Sequence, residues 1–170
     1  MCFILRVKPQ KATRNKNNPR ETFFILEIPE VQQRRQGDVN EEALPFFSPA
    51  IFTDSYEYKF GIRVYLSGVD NGRGRYVAIF VHLMNGEHDD FVQWPFTGTI
   101  TLSILDRNGA RNNDISQIVQ ATSNVSVFQR FREAICPKGC GFVKFAPIEQ
   151  VFGPHYVKED KLFLKIEFSD

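Results

Sequence analysis

At 170 residues the chain is long enough for one well-buried domain and short for two. Its composition is 42% hydrophobic and 14% aromatic, with 17 phenylalanines, which excludes a disordered chain. The net charge of +1 gives no chain-wide field to attract nucleic acid, and no apolar stretch is long enough to span a bilayer. Three cysteines fit a reducing compartment better than a disulfide framework. We therefore expect a soluble intracellular domain with no nucleic-acid partner and no direct membrane insertion.

The amino-terminal segment differs in composition from the rest. Residues 1–20 contain six basic residues and no acidic one, and residues 8–20, KPQKATRNKNNPR, are polar and rich in turn formers. This pattern predicts a basic arm or linker over residues 1–21, followed by one domain over residues 22–170. Because no aromatic residues are interleaved with the basic ones, we expect a solubilising linker rather than a nucleic-acid contact.

Little helix is predicted in the chain. PEVQQRRQG at 29–37 has a proline near its start and a glycine that can cap its end, which predicts one or two helical turns. GDVNEEALP at 37–45 is typical of a loop. A second short helix is predicted within APIEQVFG at 146–153.

Most of the remaining chain is predicted to be strand. Apolar residues alternate with other residues over four segments, at residues 59–66, 76–84, 99–106 and 161–168. Turn signals such as SGVDNGRG and DRNGARNND separate these segments. Several alternating strands with little helix favour an antiparallel β-sandwich.

The positions that alternate away from the predicted core carry unexpected residues. They are Arg63 and Tyr65 in the first segment, and Tyr76, Phe80 and His82 in the second. An aromatic row is unexpected on a face that meets only water. From the pattern alone, the row is either covered by a loop or another strand, or it forms a binding surface.

The segment CPKGCGFVKF, residues 136–145, raises the question of a metal or redox site. Cys136 and Cys140 are spaced C-x₃-C, but a structural zinc site needs four ligands, and the three histidines form no compact ligand pair. No local motif places a general base beside either thiol, and no glycine-rich stretch has the spacing of a phosphate-binding loop. We predict no catalytic residue, no metal site and no cofactor.

The glycines of the same segment suggest a different role. Gly139 and Gly141 flank Cys140 where the segment enters a strand, and glycine lets another backbone come close. An extended peptide that adds to such an edge obtains main-chain hydrogen bonds, while side-chain pockets set its specificity. This segment therefore predicts a peptide-binding strand edge.

Several motifs, in the same order along the chain, resemble the carboxy-terminal domain of TRAF proteins, the TRAF/MATH fold. They extend from about Thr22 to Phe168 and include FSPAIFTDSYEYKFGIRVYLSG (47–68), GRGRYVAIFVHLMNGEHDDFVQWPFTGTITLSILDR (72–107), VFQRF (127–131) and YVKEDKLFLKIEF (156–168). The resemblance implies an all-β fold, an eight-stranded antiparallel β-sandwich. It also implies a cytoplasmic, non-enzymatic adaptor that forms a homotrimer and binds short peptides of receptor cytoplasmic tails or signalling proteins.

Two styles of peptide recognition are known in this family. One uses a run of serines before the F-Q-R-P segment, and this chain has only Ser126 between Val125 and Val127. The other binds Pro-x-Glu-x-x-aromatic/acidic peptides and is similar in FVHLMNGEHDD, WPFTGTITLSILD and PKGCGFVKF. The resemblance therefore favours the second style.

Under that style, backbone N–H groups near Ser126 and Val127 bind the peptide glutamate, and Phe80 and Phe142 contact its proline. Arg63 meets the distal aromatic or acidic residue, and Lys138 attracts acidic peptides. The full set of implied peptide-binding residues is Arg63, Tyr65, Phe80, Ser126, Val127, Lys138, Gly139, Cys140, Gly141 and Phe142.

Two positions depart from the family pattern. Cys140 replaces an aromatic residue of the second style, and Phe131 replaces the proline that usually follows F-Q-R. Two other roles stay open on the same fold: a MATH-type module that selects substrates for a ubiquitin ligase or deubiquitinase, and a mainly structural trimerisation module. The family's usual coiled coil has no counterpart in the arm, so we expect a fragment of a longer adaptor or a short member.

Overall fold

The computed structural model describes residues 13–15, 18–40, 44–53, 57–109 and 113–169, most of which lie in strands. The strands are β1 (Thr13–Asn15), β2 (Asn18–Pro29), β3 (Phe46–Phe47), β4 (Ile51–Phe52), β5 (Lys59–Tyr65), β6 (Tyr76–Met84), β7 (Gly98–Ile104), β8 (Ile115–Ala121), β9 (Cys140–Pro147) and β10 (Lys161–Ser169). The helices are α1 (Val31–Asn40) and α2 (Ile148–Val151), and two short 3₁₀ turns cover Asp70–Gly72 and Ser126–Phe128.

The strands form two antiparallel sheets. Sheet A has the order β1-β2-β10-β7-β8, and sheet B has the order β3-β5-β6-β9, with β4 also paired to β5. This architecture confirms the predicted all-β antiparallel sandwich. The described residues contain ten strands rather than eight because β1 adds a short strand, and because the chain beside β5 is interrupted between β3 and β4.

The core lies between the two sheets and is built from alternate residues of the strands. In β5 and β6 the inward apolar positions, from Phe60 to Leu83, are at most 1% exposed, and those of β7 and β10 are buried as well. The rings of Phe60 and Phe168, one from each sheet, lie 5.0 Å apart. Burying a side chain of this size contributes about 1.5–3 kcal/mol, so the alternation itself holds the sheets together. The predicted inward faces of these strands are confirmed.

The amino-terminal prediction needs a correction. Residues 13–15 and 18–20 of the predicted arm lie in β1 and β2, so the sandwich begins before residue 22. Residues 1–12, the larger part of the predicted arm, lie outside the described residues. The strand pairing of β1 with β2 was not visible in the local composition, which is polar and rich in turn formers.

The first helix is longer than predicted. It runs from Val31 to Asn40 and passes through Gly37, so the predicted loop at 37–45 begins inside it, while residues 41–43 lie outside the described residues. Contacts from other segments fix its start: the Val31 N–H donates to the carbonyl of Asp160, and the Arg34 guanidinium lies 5.3 Å from the ring centre of Phe46. No described helix is long and apolar enough to cross a bilayer.

Candidate functional site

The strand register of sheet B aligns one row of residues on the face that points away from the core. Phe47 of β3 pairs with Arg63 of β5, Arg63 pairs with Phe80 of β6, and Phe80 pairs with Gly141 of β9. Directly paired residues share a face of a sheet. These four residues, here called the outer row, therefore cross the whole sheet at right angles to its strands.

Arg63 is the only charged residue of the outer row, and aromatic rings surround it. Its guanidinium lies 5.3 Å from the ring centre of Tyr65 and 5.2 Å from that of Phe80. The two rings meet edge to face at 6.2 Å. The Nε atom of Arg63 is buried and has no hydrogen-bond partner, and no ion pair joins Arg63 to any described residue. The guanidinium thus has cation–π contacts within the domain but no anionic acceptor among the residues that the structure describes.

His82 has the same outward parity but is only 2% exposed. The loop before β9 covers it, and His82 Nδ1 lies 2.8 Å from the carbonyl oxygen of Cys136. Because a carbonyl only accepts hydrogen bonds, Nδ1 carries the proton and donates it. Burial lowers the pKa of His82, and the positive charge of Arg63 lowers it further, although the hydrogen bond to Cys136 acts in the opposite direction. Of the two alternatives for the outward row, cover by a loop is therefore correct for His82. Arg63, Tyr65 and Phe80 stay partly exposed.

The two glycines of the candidate edge have a role within the domain. A Cβ atom on Gly139 would lie 2.5 Å from His82 Nε2, and one on Gly141 would lie 2.8 Å from the Cα atom of Phe80. Real Cβ atoms do not come this close, so both positions require glycine. At Gly141 the neighbour is the backbone of β6, and at Gly139 it is the His82 and Phe80 side chains of β6, so contacts within the domain account for both glycines without an added peptide.

β9 is the last strand of sheet B, so one side of it is unpaired. Towards the end of β9, the Nε2 atom of Gln117 donates a hydrogen bond to the carbonyl oxygen of Phe145, 3.5 Å away. This contact joins β8 of sheet A to β9 of sheet B. The carbonyl of Val143 lies against Gly72 of the first 3₁₀ turn, where an added Cβ would be 2.6 Å away, so the open part of the edge is its start, from Cys140 to Phe142. Lys138 is exposed in the loop that leads into it.

Cys140 and Phe142 lie on the inner side of β9. They pair with Val81 and Ile79 of the core, and both pack partly against it. Burial raises the pKa of the Cys140 thiol. Phe80 is on the outer side, so Phe80 and Phe142 are not neighbours on one face, as a shared proline contact between them would suggest. No three His, Cys, Asp or Glu side chains are grouped for a metal ion within the described ranges.

Two backbone donors are available at the 3₁₀ turn that follows β8. The N–H groups of Phe128 and Gln129 donate to carbonyls of the turn, at 3.1 and 3.2 Å. Those of Ser126 and Val127, at the start of the turn, have no acceptor in the part of the chain that the structure describes, as expected for the first residues of a helical turn. Ser126 is exposed, Val127 is half-buried, and the turn contacts β6.

Phe47 was not among the residues predicted for the site. Phe47 is 57% exposed, and it borders Arg63 on the side opposite Phe80. The sequence signal was the pair Phe46–Phe47, since two consecutive aromatic residues in a strand must point to opposite faces. A separate open cavity of about 510 Å³ is lined by residues of β8, α2 and the segment before β10, and none of the predicted site residues borders it.

Comparison with known proteins gives consistent matches. The family model of the TRAF/meprin MATH domain matches residues 43–165. TNF receptor-associated factor 1 of Mus musculus is 33% identical over 144 residues, which cover 84% of this chain and 34% of that protein. TNF receptor-associated factor 6 of Homo sapiens is 36% identical over 150 residues, or 86% of this chain and 28% of that protein. The solved structure of Notothenia coriiceps TRAF5 matches with a TM-score of 0.79 and 31% identity, covering 87% of this chain and 73% of that one. The chain spans about a third or less of these curated relatives.

Proposed function

The chain belongs to the TRAF/meprin MATH domain family, and from this premise we propose that it is the peptide-binding domain of a cytoplasmic, non-enzymatic signalling adaptor. Its partners are short acidic segments of receptor tails or signalling proteins, which bind as an added strand. The relatives are named TNF receptor-associated factors, and this name agrees with a receptor-tail partner.

The observation that carries this proposal is an open segment of β9 in the same sheet as a cation, Arg63, that has no anionic partner among the described residues. A strand edge offers backbone donors and acceptors to any extended peptide, so it supplies affinity but little selectivity. Arg63 lies two strands away and lacks an anionic acceptor among the described residues. A peptide that reaches both features gains main-chain hydrogen bonds and a charge-assisted contact, which is stronger than a neutral one.

The geometry favours the Pro-x-Glu-x-x-aromatic/acidic type of peptide. Valines flank Ser126, so a serine-based grip is weak, whereas the free N–H groups of Ser126 and Val127 suit the glutamate carboxylate. An added strand alternates its side chains between two faces, so the peptide contacts Cys140 and Phe142 on the inner side and Phe80 on the outer side. Its proline covers one of the two phenylalanines, not both.

A single short strand buries little area, so each site is weak. In a homotrimer, three such domains facing clustered receptor tails bind far more tightly than one, because the second and third contacts are intramolecular. Assembly thus supplies the strength that the individual site lacks.

The test is a fluorescence-anisotropy titration of a labelled Pro-x-Glu-x-x-Asp peptide, a Pro-x-Glu-x-x-Phe peptide, and versions of each with Glu→Ala. We expect saturable binding that the alanine versions lose. If the folded protein binds neither peptide at high concentration, the peptide-binding assignment is wrong and a structural role in assembly replaces it.

A further inference from the structure

The loop that leads into β9 is fastened to the end of β6 by hydrogen bonds. Within residues 134–139, here called the covering loop, the Cys136 N–H donates to a carbonyl of β6 at 2.9 Å, and the Asn85 N–H donates to the carbonyl of Ala134 at 3.1 Å. A further bond comes from the His82 side chain, whose Nδ1 lies 2.8 Å from the carbonyl oxygen of Cys136. The imidazole is therefore both a group that the loop buries and one of the groups that hold the loop.

The other ring nitrogen of His82, Nε2, is buried and has no hydrogen-bond partner among the described residues. Gly139 closes over it, since a Cβ atom on that residue would lie only 2.5 Å from Nε2. Protonation of the ring adds a second N–H, which needs an acceptor, and a positive charge. A charge that is buried without a partner costs much more free energy than a buried neutral ring. The closed covering loop is therefore compatible with the neutral ring and not with the protonated one.

The charges on the elements packed against His82 add to this cost. The 3₁₀ turn at Ser126–Phe128 carries no charge, and Glu133, which precedes the covering loop, is exposed and lies beyond the residue that contacts Asn85. Burial lowers the pKa of His82, the bond to the Cys136 carbonyl partly opposes this, and the charge of Arg63 lowers the pKa further. The other charged and titratable groups are cations and thiols: Lys59 of β5, Lys138 of the covering loop, Lys144 and Cys140 of β9, and Cys136.

The covering loop is also the part of this edge that opens most easily. None of its residues is buried, whereas Phe145 and Ala146 in the second half of β9 are both only 2% exposed. Segments with few buried apolar contacts open locally, without unfolding of the rest of a domain. Opening of the covering loop therefore exposes His82 to water and leaves the core between the sheets intact.

We propose that the covering loop is a pH-sensitive cover of β6, which is closed while the His82 ring is neutral and opens locally when the ring takes up a proton. In the open form, water provides the acceptor that the new Nε2–H lacks in the closed form. The loop leads directly into the open start of β9, so its opening also removes support from the edge to which a peptide adds. That last consequence rests on the proposed function, whereas the opening itself does not.

The size of the effect follows from proton uptake. In the open form His82 is hydrated and titrates near the ordinary pKa of histidine, about 6.5, whereas the closed form holds its pKa below that value. The closed form therefore has its full stability above about pH 6.5 and loses stability as the pH falls. Between about pH 7.5 and about pH 5.5 the equilibrium constant for opening rises by up to about tenfold, the limit for a closed form that takes up no proton in this range.

The experiment is amide hydrogen exchange, read by NMR at the N–H groups of Cys136 and Asn85 and corrected for the intrinsic exchange rate at each pH. It compares the unchanged protein, His82→Asn and His155→Asn at about pH 7.5, 6.5 and 5.5. His82→Asn keeps a donor for the Cys136 carbonyl but does not titrate. His155→Asn is the matched control, because the side chain of His155 is 52% exposed and lies outside the covering loop, between α2 and β10. We expect the opening constant to rise about five- to tenfold in the unchanged protein and in His155→Asn, and to stay nearly constant in His82→Asn.

The amides of β7 provide the reference for opening of the whole domain. An opening constant at Cys136 that does not change with pH in the unchanged protein overturns the proposal, and so does an equal rise in His82→Asn. An equal rise at the β7 amides means that the domain opens as a whole, which overturns local opening. If His82→Asn folds poorly, the comparison of Cys136 with β7 in the unchanged protein still decides. The measurement contains no peptide, so its result is independent of the peptide-binding proposal, which the anisotropy titration tests separately.

Discussion

The outer faces of the two sheets treat charge in opposite ways. On sheet A the outward lysines pair with carboxylates: Lys161 Nζ lies 2.9 Å from Glu27 Oε1, and Lys165 Nζ lies 2.6 Å from Glu167 Oε1. On sheet B the outward cations lie near aromatic rings, as Lys165 also does with Phe23, but they pair with no carboxylate among the described residues; Arg63 lies between Tyr65 and Phe80. Both faces follow the same alternation of inward apolar and outward residues.

The difference lies in how the charge of each outer face is compensated by its own residues. Exposed ion pairs contribute little to stability, about 0–1 kcal/mol, but they cancel the charge of the face. A cation held near rings keeps its charge for an incoming anion. The alternation of a strand sets which residues point outward, whereas the presence or absence of acidic partners sets the net charge of that face.

The largest expected effect comes from removing β9 from sheet B. Gly141→Val places side-chain atoms against the backbone of Phe80 in β6, where a Cβ atom alone would lie 2.8 Å from Cα. We expect a loss of about 3 kcal/mol of unfolding free energy, measured by urea denaturation, together with loss of peptide binding. Gly61→Ala is the control in the same sheet, since its nearest neighbour is the flexible Met84 side chain at 3.3 Å. An equal loss in both variants would contradict the role given to Gly141.

The second effect is on affinity. Arg63→Gln removes a cation of sheet B that has no carboxylate partner among the described residues, and it should weaken binding of the Pro-x-Glu-x-x-Asp peptide about tenfold. The affinity should also depend less steeply on salt concentration. Lys165→Gln removes a paired cation of sheet A and should leave the affinity unchanged. Both are read by anisotropy at two salt concentrations. Equal behaviour of the two variants would remove the distinction between the faces.

A third effect concerns pH. The pKa of His82 is lowered in the folded protein, so the unfolded chain takes up this proton first as the pH falls. Stability is therefore full above about pH 6.5, the ordinary value for histidine, and declines below it until the folded pKa is reached. His82→Asn keeps a side-chain donor for the carbonyl of Cys136 and should flatten this decline. Thermal unfolding of the unchanged protein and of His82→Asn between about pH 7.5 and 5 measures this decline. An equal decline in both proteins would contradict the role given to His82.

The smallest effect is expected on sheet A. Glu27→Gln breaks the ion pair with Lys161. The side chain of Lys161 is 40% exposed and that of Glu27 is 43% exposed. Solvent screening should limit the loss of unfolding free energy to about 0.5 kcal/mol or less, with no change in peptide affinity. Urea denaturation and anisotropy provide the two measurements. A change in affinity would mean that the site extends to sheet A.

The sequence was sufficient to predict which face of a sheet a residue lies on where the alternation of a strand alone decides this. It predicted the inward faces of β5 and β6 and the outward Arg63, Tyr65 and Phe80. It was not sufficient at His82, because the loop that covers this residue lies 54 residues further along the chain. A pattern of neighbouring residues does not predict a contact with a segment so far along the chain.

The pairing of β6 with β9 was also beyond the sequence. The register shifts between Val77 and Ile79, and this register puts Phe142 opposite Ile79 on the inner side. Glycine spacing correctly indicated a close backbone, but it does not say whose backbone comes close. At Gly141 it is β6, which a pattern of residues along one strand does not reveal.

The side chain of Gln117 has a consequence for the solubility of the domain. An unpaired strand edge is a template for other edges, and two copies that joined through the full length of β9 would begin a continuous intermolecular sheet. Gln117 points inward from β8 and lies near the carbonyl of Phe145, so the later part of that edge is occupied by a polar group of the same chain. At the opposite edge of sheet B, β3 is only two residues long. The part of the edge that is left open therefore offers only a few main-chain hydrogen bonds to a second copy.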